Sequence, residues 1–539
     1  MVCARNFGGR LIPDTKVLLD KAAHAHAQGK LGEAKDLYRK ILGLAPHQHD
    51  SQLMLGVIAQ QEGSSDLALQ WIDAAIKAKP DYLHAQYNRS VILRALGRND
   101  DALHEVQNLL RHTPSFAAAW DLAGQILREK ENFLDAEKCH KHALGLHPDN
   151  PVFLNNYGLL LMAQGKLSDA YALASRAEQL DPTAPPLLLG NILKALGYPE
   201  KALGCFIRAR TILPEYPDSY VSEAIACLQM GDLEKGFALW EKRPDLSEHH
   251  KEVPLWQGQR VATLLLQEDQ GLGDALHFMR YVPLLKTMVD QVILRLKPSL
   301  VDLCRFNFPD IEVCPEGTPA PNASARCRLS SLPFFFKTRF DNLPSIPYLK
   351  APSSLFWKQW TKGIKAPKIG LVWAGNTKFR SNHTRSIPFE ALSPLLKICG
   401  TGHFVSIQKE RSECIQDLNF ADAAPSLNSF QDTASLIAEL DLIISVDTAT
   451  AHLAGALGKP VFILLPFDPD WRWMIGREDS PWYPSAKLYR QTNMDDWTSV
   501  ILRVAEDVKK FLDGDRNVLH AAPSTGLPVR QNPNALPLK

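Results

Sequence analysis

The sequence predicts two architectures in one chain: an N-terminal array of α-helical repeats and a C-terminal α/β region. Three observations lead to this fold class. The first half repeats with a period of 34 residues, which is typical of helical repeat proteins. From about residue 253 the period vanishes, and short apolar runs alternate with helical stretches. Several of these apolar runs are followed by glycine-rich or hydroxyl-bearing segments, as expected where a parallel sheet carries a site.

The repeat is marked by small, helix-breaking and turn-forming residues in fixed register. Prolines recur at steps of 34 and alanines keep the same step, at Pro46, Pro80, Pro114, Pro148, Pro182 and at Ala34, Ala68, Ala102, Ala136, Ala170. Turn glycines follow this register at Gly29, Gly63, Gly97 and Gly165, with Glu131 in the equivalent position of one copy. A glycine here provides a left-handed cap between two helices, and the proline ends the second helix. We therefore predict about seven helix–turn–helix repeats over residues 15–245.

The second half predicts two Rossmann-like lobes. Strands are expected at 261–267, 291–296, 368–374, 403–408, 441–446 and 460–465, and helices at 275–286, 389–398, 432–440 and 495–512. A less regular, proline-containing stretch at 309–352 separates the two blocks. We place an N-terminal lobe at 253–362, a C-terminal lobe at 366–512 and a disordered polar tail at 513–539.

Composition and charge restrict the partners. The 539 residues carry a formal net charge of +1, which gives no general electrostatic reason to bind nucleic acid. Nine cysteines are scattered without a CxxC pair, which favours reduced thiols in a cytoplasmic protein. The sequence lacks an apolar run of the roughly 18 residues that a membrane span needs. We therefore expect no nucleic-acid binding, no membrane span and a cytoplasmic location.

The segment DTATAH follows the predicted strand at 441–446 and starts a helix. Asp447 or Thr448 can cap that helix, and its first N–H groups and dipole attract phosphate. Ala449 and Thr450 are small enough for close approach, and His452, one turn in, could donate to a phosphate oxygen. The alternative is a capped helix that packs on its sheet with a satisfied, half-buried histidine. Downstream glycine and alanine residues would let that helix lie close to the sheet.

The segment EDQGLGD follows the predicted strand at 261–267. Gly271 and Gly273 free the backbone between strand and helix, so that Asp274 begins the helix and faces a cleft. A carboxylate there could take a proton from an acceptor hydroxyl, or it could act only as a helix cap.

Two further strand ends carry polar side chains. Asn376, Lys378 and Arg385 lie in a basic loop that could neutralise a leaving diphosphate, or that could be a solvated loop. Gln408 ends another strand and is a weaker candidate. An aromatic loop at 468–484 could shape a base or sugar pocket or could pack the last helix, and we discount its D-x-D pair, Asp468 and Asp470, as a metal site.

These segments resemble a known combination of domains. The 34-residue pattern resembles the tetratricopeptide repeat. QEDQGLGDALHFMRYVPLL, GLVWAGNTKFRSNHTRSIP, SIQKE and DLIISVDTATAHLAGALGKPVFILLPFDPDWRW resemble bacterial tetratricopeptide proteins whose C-terminal domain is similar to glycosyltransferase family 9, the heptosyltransferases. The resemblance implies the two-lobed GT-B fold, a nucleotide-sugar donor on the C-terminal lobe and an acceptor on the N-terminal lobe.

The resemblance also implies roles for individual residues. Asp274 matches the catalytic base, supported by the loop of Gly271 and Gly273. The resemblance places the donor against the basic loop, Gln408 and the turn that starts the DTATAH helix. The matching residues are Asn376, Lys378, Arg385, Gln408, Asp447, Thr448, Ala449, Thr450 and His452.

The predicted function is a metal-independent, inverting glycosyltransferase that needs no cofactor besides its nucleotide-sugar substrate. The repeats are expected to recruit a polypeptide acceptor, with flagellin as one acceptor by analogy with this architecture. The alternative is that the repeats act as a spacer or a dimerisation surface. Two alternatives stay open: transfer to a glycolipid or lipopolysaccharide sugar, and a non-catalytic scaffold whose transferase lobes have degenerated.

Overall fold

The computed structural model describes residues 13–244, 252–319, 322–376, 382–409, 421–522 and 524. Contacts between Cα atoms divide the chain into two compact units. One extends to Ala184 and the other begins at Pro185, so the second unit contains the last repeat helices together with both sheets. The predicted class, helical repeats followed by an α/β region, is confirmed.

Within residues 13–244, fourteen helices follow one another as seven consecutive pairs. They are α1 (Pro13–Ala27), α2 (Leu31–Leu44), α3 (His49–Gln61), α4 (Ser65–Ala78), α5 (Leu83–Ala95), α6 (Asn99–His112), α7 (Ala117–Glu129), α8 (Phe133–Leu146), α9 (Pro151–Ala163), α10 (Leu167–Leu180), α11 (Leu187–Ala195), α12 (Pro199–Ile212), α13 (Pro217–Gln229) and α14 (Leu233–Trp240).

The turn within each pair has the predicted left-handed residue. Six of these turns use glycine, and the seventh uses Glu131 with a φ of 59°, which confirms the exception read from the sequence. The small residues of the first helices lie against large side chains of the second. A Cβ atom on Gly124 would lie 2.7 Å from His140, and one on Gly190 would lie 2.5 Å from Phe206. The small residues of the repeat pattern therefore lie where the two helices of a pair cross closely.

The N-terminal lobe is built on a parallel sheet of four strands in the order β3-β2-β1-β4. The strands are β1 (Val261–Gln267), β2 (Val289–Leu296), β3 (Glu312–Pro315) and β4 (Ala325–Arg328). Its helices are α15 (Leu272–Phe278), α16 (Pro298–Asn307), α17 (Leu332–Phe335) and α18 (Leu355–Trp360).

The C-terminal lobe has a parallel sheet of six strands in the order β10-β9-β8-β5-β6-β7. The strands are β5 (Ile369–Val372), β6 (Phe404–Ser406), β7 (Ala421–Asp422), β8 (Leu442–Val446), β9 (Val461–Leu465) and β10 (Ala486–Arg490). Its helices are α19 (Asn382–Arg385), α20 (Ser393–Cys399), α21 (Phe430–Ala438), α22 (Ala449–Ala456) and α23 (Trp497–Leu512). Because every strand is parallel, the carboxyl ends within each sheet share one edge.

All six predicted strands are present, but the structure adds four short ones. β3 and β4 lie in the stretch at 309–352 that the sequence presents as irregular. The predicted helix at 275–286 is shorter than expected, because α15 ends at Phe278 and continues as a 3-10 helix over Met279–Thr287. Pro283 lies inside that segment, where its ring is incompatible with a regular α-helix.

In the described ranges, no helix is both long enough and apolar enough to cross a membrane. Of the predicted tail, residues 513–522 and 524 are described, and Asn517–Leu519 form a 3-10 turn in which Leu519 is buried. The remainder of the tail lies outside the described residues.

Candidate active site

Two helix starts, one from each lobe, meet at the carboxyl edges of the two sheets. β1 leads through Gly271 into α15, and β8 leads through Asp447 into α22. A Cβ atom on Gly273 would lie 2.9 Å from Cδ2 of His452 and 3.5 Å from Cα of Ala449. Glycine at this position therefore lets the first turn of α15 approach the first turn of α22. The two segments that the sequence singled out independently are brought together.

Asp274 projects from the first turn of α15 and is half-buried. Its Oδ2 accepts a hydrogen bond of 2.9 Å from the backbone N–H of Gly271, which caps the helix. Its Oδ1 forms an ion pair with Nη2 of Arg472 in the aromatic loop. Asp274 is thus both a cap for its own helix and a carboxylate at the point where the lobes meet.

Arg472 is a site residue that the sequence analysis did not identify. Only 4% of its surface is exposed, and its guanidinium lies 4.3 Å from the ring centre of Trp471 and 5.3 Å from that of Phe278. Burial disfavours its charge, but the surrounding carboxylates of Asp274 and Asp470 outweigh burial and raise the pKa of Arg472. Arg472 therefore stays a buried cation. The only signal in the sequence was an arginine between two tryptophans.

His452 is 5% exposed and has defined partners. Nδ1 lies 3.0 Å from the hydroxyl of Tyr483, and the ring stacks on Trp473 with a centroid distance of 5.2 Å. The other nitrogen, Nε2, lies 3.7 Å from Oδ1 of Asp447. Burial, aided by nearby arginines, lowers the pKa of His452 well below its usual value. The ring is therefore neutral at physiological pH.

The hydroxyl of Tyr483 links His452 to a second buried histidine, His277 on α15. Nδ1 of His277 lies 3.2 Å from that hydroxyl. Arg280 supports the same region by donating to the carbonyl oxygens of His277 and Trp482, each at 2.8 Å. Burial also lowers the pKa of His277 well below its usual value. These side chains fasten α15 to the aromatic loop of the other lobe.

The residues that start α22 surround its first turn. Asp447, Thr448, Ala449 and Thr450 are all half-buried. Burial, with repulsion from Asp470, raises the pKa of Asp447 to about 7. Oγ1 of Thr448 pairs with the hydroxyl of Ser445 at 3.0 Å, and no side chain of the described residues caps the helix. The first N–H groups of α22 thus meet no capping side chain among the described residues.

The basic loop is described in part. Arg385 lies across the backbone of Gly375, where a Cβ atom would be 2.7 Å from its Nε. The charge of Arg385 acts on both Asp447 and His452, which places the guanidinium near the start of α22. Asn376, four residues after the end of β5, is exposed. Lys378 lies outside the described residues.

Gln408 has a structural contact that the sequence did not predict. Its Oε1 accepts hydrogen bonds from the backbone N–H groups of Trp373 at 3.0 Å and Ala374 at 2.9 Å. The side chain is 3% exposed. Gln408 therefore fixes the backbone after β5, from which the basic loop departs. Its role in donor binding stays a prediction.

The aromatic loop packs between the lobes. Trp471, Trp473, Trp482 and Tyr483 are buried in a core shared by both sheets, whereas α23 packs in a separate apolar cluster. The two aspartates of the D-x-D pair point to different partners. Asp468 pairs with Lys194 at 2.5 Å, and Asp470 accepts from Nη1 of Arg472 at 2.9 Å. Across the described residues, no three His, Cys, Asp or Glu side chains are grouped as metal ligands.

Comparison with known proteins gives two matching family models. The tetratricopeptide repeat model matches residues 19–82, 87–138 and 122–185. The model of glycosyltransferase family 9 (heptosyltransferase) matches residues 406–468. This second match contains β8, Asp447 and α22. The repeat matches lie within the helical pairs, and the family 9 match lies within the C-terminal lobe.

Comparison with individual proteins gives further similarities. The chain is 25% identical to Protein FlbA of Caulobacter vibrioides over 90% of its own length and 82% of that protein. It is 30% identical to Protein O-mannosyl-transferase Tmtc3 of Drosophila melanogaster over 28% of this chain and 17% of that one. A solved tetratricopeptide protein of Thermus thermophilus, TTC0263, is 23% identical with a TM-score of 0.32, covering 33% of this chain and 99% of its own.

The family 9 match supports glycosyl transfer as the reaction class. The repeats suggest protein interaction. Site residues outside 406–468, including Asp274 and Arg472, lie beyond the family 9 match.

Proposed function

We propose that this protein moves a sugar from a nucleotide-sugar donor to a hydroxyl group of a polypeptide that the repeats recruit. The observation that carries the proposal is the meeting of α15 and α22, which brings a carboxylate and a helix N-terminus to one place. Asp274 supplies a base, and the first turn of α22 supplies N–H groups for a phosphate. Two parallel α/β lobes that meet at their carboxyl edges are consistent with a GT-B enzyme.

The proposed reaction is a single displacement. Asp274 takes the proton of the acceptor hydroxyl as its oxygen attacks the anomeric carbon of the donor. The bond between that carbon and the phosphate oxygen breaks, and a nucleoside diphosphate leaves. One attack on the face opposite the leaving group inverts the anomeric configuration. A base that acts on the acceptor hydroxyl accounts for inversion in one displacement, whereas retention through a covalent intermediate needs a second displacement.

The leaving diphosphate gains negative charge, and the surroundings of α22 suit that charge. The helix dipole and its first N–H groups attract an anion, and Arg385 acts on the same region. His452 is neutral, so we propose that it contacts the phosphate by a hydrogen bond through Nε2 rather than as a cation. Asn376, Lys378 and Thr450 complete the proposed donor contacts. The cation of Arg385 and the helix N–H groups support a reaction that needs no metal ion.

A polypeptide acceptor is supported by the repeats and by the name of one relative, a protein O-mannosyl-transferase. Flagellin stays a prediction. A cytoplasmic location is also proposed, because none of the seven described cysteines is in a disulfide.

Calorimetric titration tests the donor site directly. The full-length protein is titrated with UDP-glucose, UDP-N-acetylglucosamine, GDP-mannose and ADP-heptose, and we expect at least one to bind. Thr450→Asp should abolish that binding, because a carboxylate in the first turn repels phosphate while favouring the helix dipole. Thr450→Asn is the matched control, since it has the same shape without charge, and it should still bind.

Incubation with a donor labelled in its sugar then distinguishes the acceptors. Label in the protein fraction of the cell supports the proposal, whereas label in the glycolipid fraction favours the glycolipid alternative. Binding of no nucleotide sugar, together with no transfer, would favour a scaffold and overturn the proposed function.

A further inference from the structure

We propose that the last repeat helices position the candidate base Asp274, acting through the turn that carries Arg472. This inference rests on the proposed function and adds residues that lie outside both lobes. The helices concerned, α11, α13 and α14, belong to the same compact unit as the two sheets. Their side chains hold the segment 468–472 of the aromatic loop.

The first contact is polar and involves Asp468. Nζ of Lys194, on α11, lies 2.5 Å from Oδ2 of Asp468. Nε2 of Gln229, at the end of α13, donates to Oδ1 of Asp468 and to the carbonyl oxygen of Pro469, each at 3.3 Å. Two repeat helices thus hold one aspartate from two sides. The aspartate that was discounted as a metal ligand has a structural partner in the repeats.

The second contact is apolar and involves Trp471, three residues after Asp468. The ring of Phe237, on α14, meets Trp471 edge to face with a centroid distance of 5.6 Å. Both side chains are buried, at 2% and 4% exposure. An edge-to-face pair fixes orientation as well as distance. Trp471 in turn lies under the guanidinium of Arg472.

The third set of contacts connects this turn to Asp274. Asp470 accepts from both the backbone N–H and Nη1 of Arg472, at 3.0 and 2.9 Å. The guanidinium then pairs with Oδ1 of Asp274. Because Arg472 is buried and Asp470 binds its backbone N–H and its Nη1, the place of its Nη2 depends on the turn that the repeats hold. Asp274 is oriented by Arg472 at one oxygen and by its own helix cap at the other.

The end of the same repeat pair also reaches the N-terminal lobe. Nη2 of Arg243, just after α14, donates to the hydroxyls of Ser330 at 2.7 Å and Ser331 at 2.8 Å. It also lies 3.3 Å from Asp269 in the loop that leads to α15. The last repeat pair therefore contacts both loops that define the position of Asp274. A repeat array that only recruited an acceptor would not need these contacts.

Substitution of Lys194 tests the inference, since this side chain is partly exposed and touches neither Asp274 nor the start of α22. The readout is the rate of nucleoside diphosphate release from the nucleotide sugar that binds in the titration, with the protein fraction of the cell as acceptor. Lys194→Met should lower kcat roughly tenfold with an unchanged KM for the donor. Lys194→Arg should restore the rate because it keeps the charge. Lys35→Met, which removes a similar ion pair with Glu62 in the first repeats, should leave kcat unchanged.

A double-mutant cycle tests whether the effect passes through Arg472. In an Arg472→Lys background, Lys194→Met should cost little more, since the connection is already broken. Asp470→Asn replaces Arg472→Lys if circular dichroism shows that the latter does not fold, because Asp470 anchors the same guanidinium.

Wild-type kcat in Lys194→Met would overturn the inference, as would the same loss in both backgrounds. A wild-type protein that releases no nucleoside diphosphate would instead count against the proposed function.

Discussion

Asp274 shows that two interpretations of one residue can both hold. The sequence left open whether this aspartate caps a helix or faces a reacting hydroxyl. In the structure one oxygen caps α15 and the other faces Arg472 at the meeting point of the lobes. The capping bond holds the carboxylate in place, which is what a positioned base requires. A cap and a base are therefore compatible roles for this side chain.

Asp447 should make the stability of the folded protein depend on pH. Its pKa is about 7 in the folded protein and 3.8 for the unperturbed carboxyl. Between about pH 4 and 7 the folded state holds a proton that the unfolded state has released, so stability falls as pH rises. Asp447→Asn copies the protonated form. We expect its melting temperature to exceed that of the wild type more at pH 7.5 than at pH 5, by differential scanning calorimetry.

The contribution of the neighbouring histidines is common to both proteins in that comparison. Since the pKa values of His277 and His452 are lowered, both proteins should lose stability as pH falls below about 6.5. A stability difference between variant and wild type that does not change from pH 5 to 7.5 would show that Asp447 is not a buried, protonatable group.

Arg385 carries a prediction about the donor. A charge-assisted hydrogen bond to phosphate is stronger than a neutral one, so Arg385→Met should raise the Kd of the nucleotide sugar about tenfold or more. Lys397→Met is the control, because Lys397 is an exposed cation on α20. Titration calorimetry measures both. Equal affinities in Arg385→Met and the wild type would remove Arg385 from the donor site.

At the scale of elements, the contact between α15 and α22 depends on a missing side chain. A Cβ atom on Gly273 would clash with His452, whose ring is held by Tyr483 and Trp473 and has little room to move. Gly273→Ala should therefore destabilise the protein by about 1–3 kcal/mol and reduce transfer.

Gly204→Ala is the matched control for that substitution. Gly204 lies inside α12 with no atom within 4 Å of an added Cβ, so alanine there should be neutral or stabilising. Chemical denaturation of both variants provides the measurement. If Gly273→Ala is as stable as Gly204→Ala, the two helix starts are not in close contact.

The small residues of α22 predict close packing but do not identify the side chain that packs on them. The sequence indicated that Gly455 allows the helix to lie close to its sheet. In the structure Gly455 faces Tyr483, and a Cβ atom there would lie 2.5 Å from the ring. Tyr483 is 28 residues away in the chain, and nothing in the local pattern identifies it as a neighbour. A pattern predicts that something large packs on a small residue, but not which side chain it is.

Arg472 was missed for the same reason. Its importance comes from Asp274, which lies in the other lobe, and from a turn held by the repeats. By contrast, the strands and the residues that follow them were predicted well, because parallel strands and their polar carboxyl ends are local features of the chain. β3 and β4 escaped because each has only four residues within an irregular stretch.

At the scale of the whole molecule, the repeat pattern of the sequence and the compact units of the structure have different boundaries. The repeat pattern continues to Gly231, with one step of 32 residues between Gly165 and Gly197, because each repeat has the same local turn and crossing. The compact unit that contains the sheets nevertheless starts at Pro185. The last two helix pairs keep the repeat geometry while Lys194, Gln229 and Phe237 contact the aromatic loop. Long-range contacts of this kind leave no period in the sequence.

Whether Asp274 deprotonates the acceptor is tested by a single-turnover assay of sugar transfer. Asp274→Asn is compared with Asp290→Asn, an exposed aspartate on β2 that pairs only with Arg260 among the contacts described. A general base contributes about a hundredfold or more, so Asp274→Asn should lose transfer by at least that factor while it binds the nucleotide sugar as the wild type does. Asp290→Asn should transfer normally. Transfer by Asp274→Asn at the wild-type rate would show that Asp274 is not the general base.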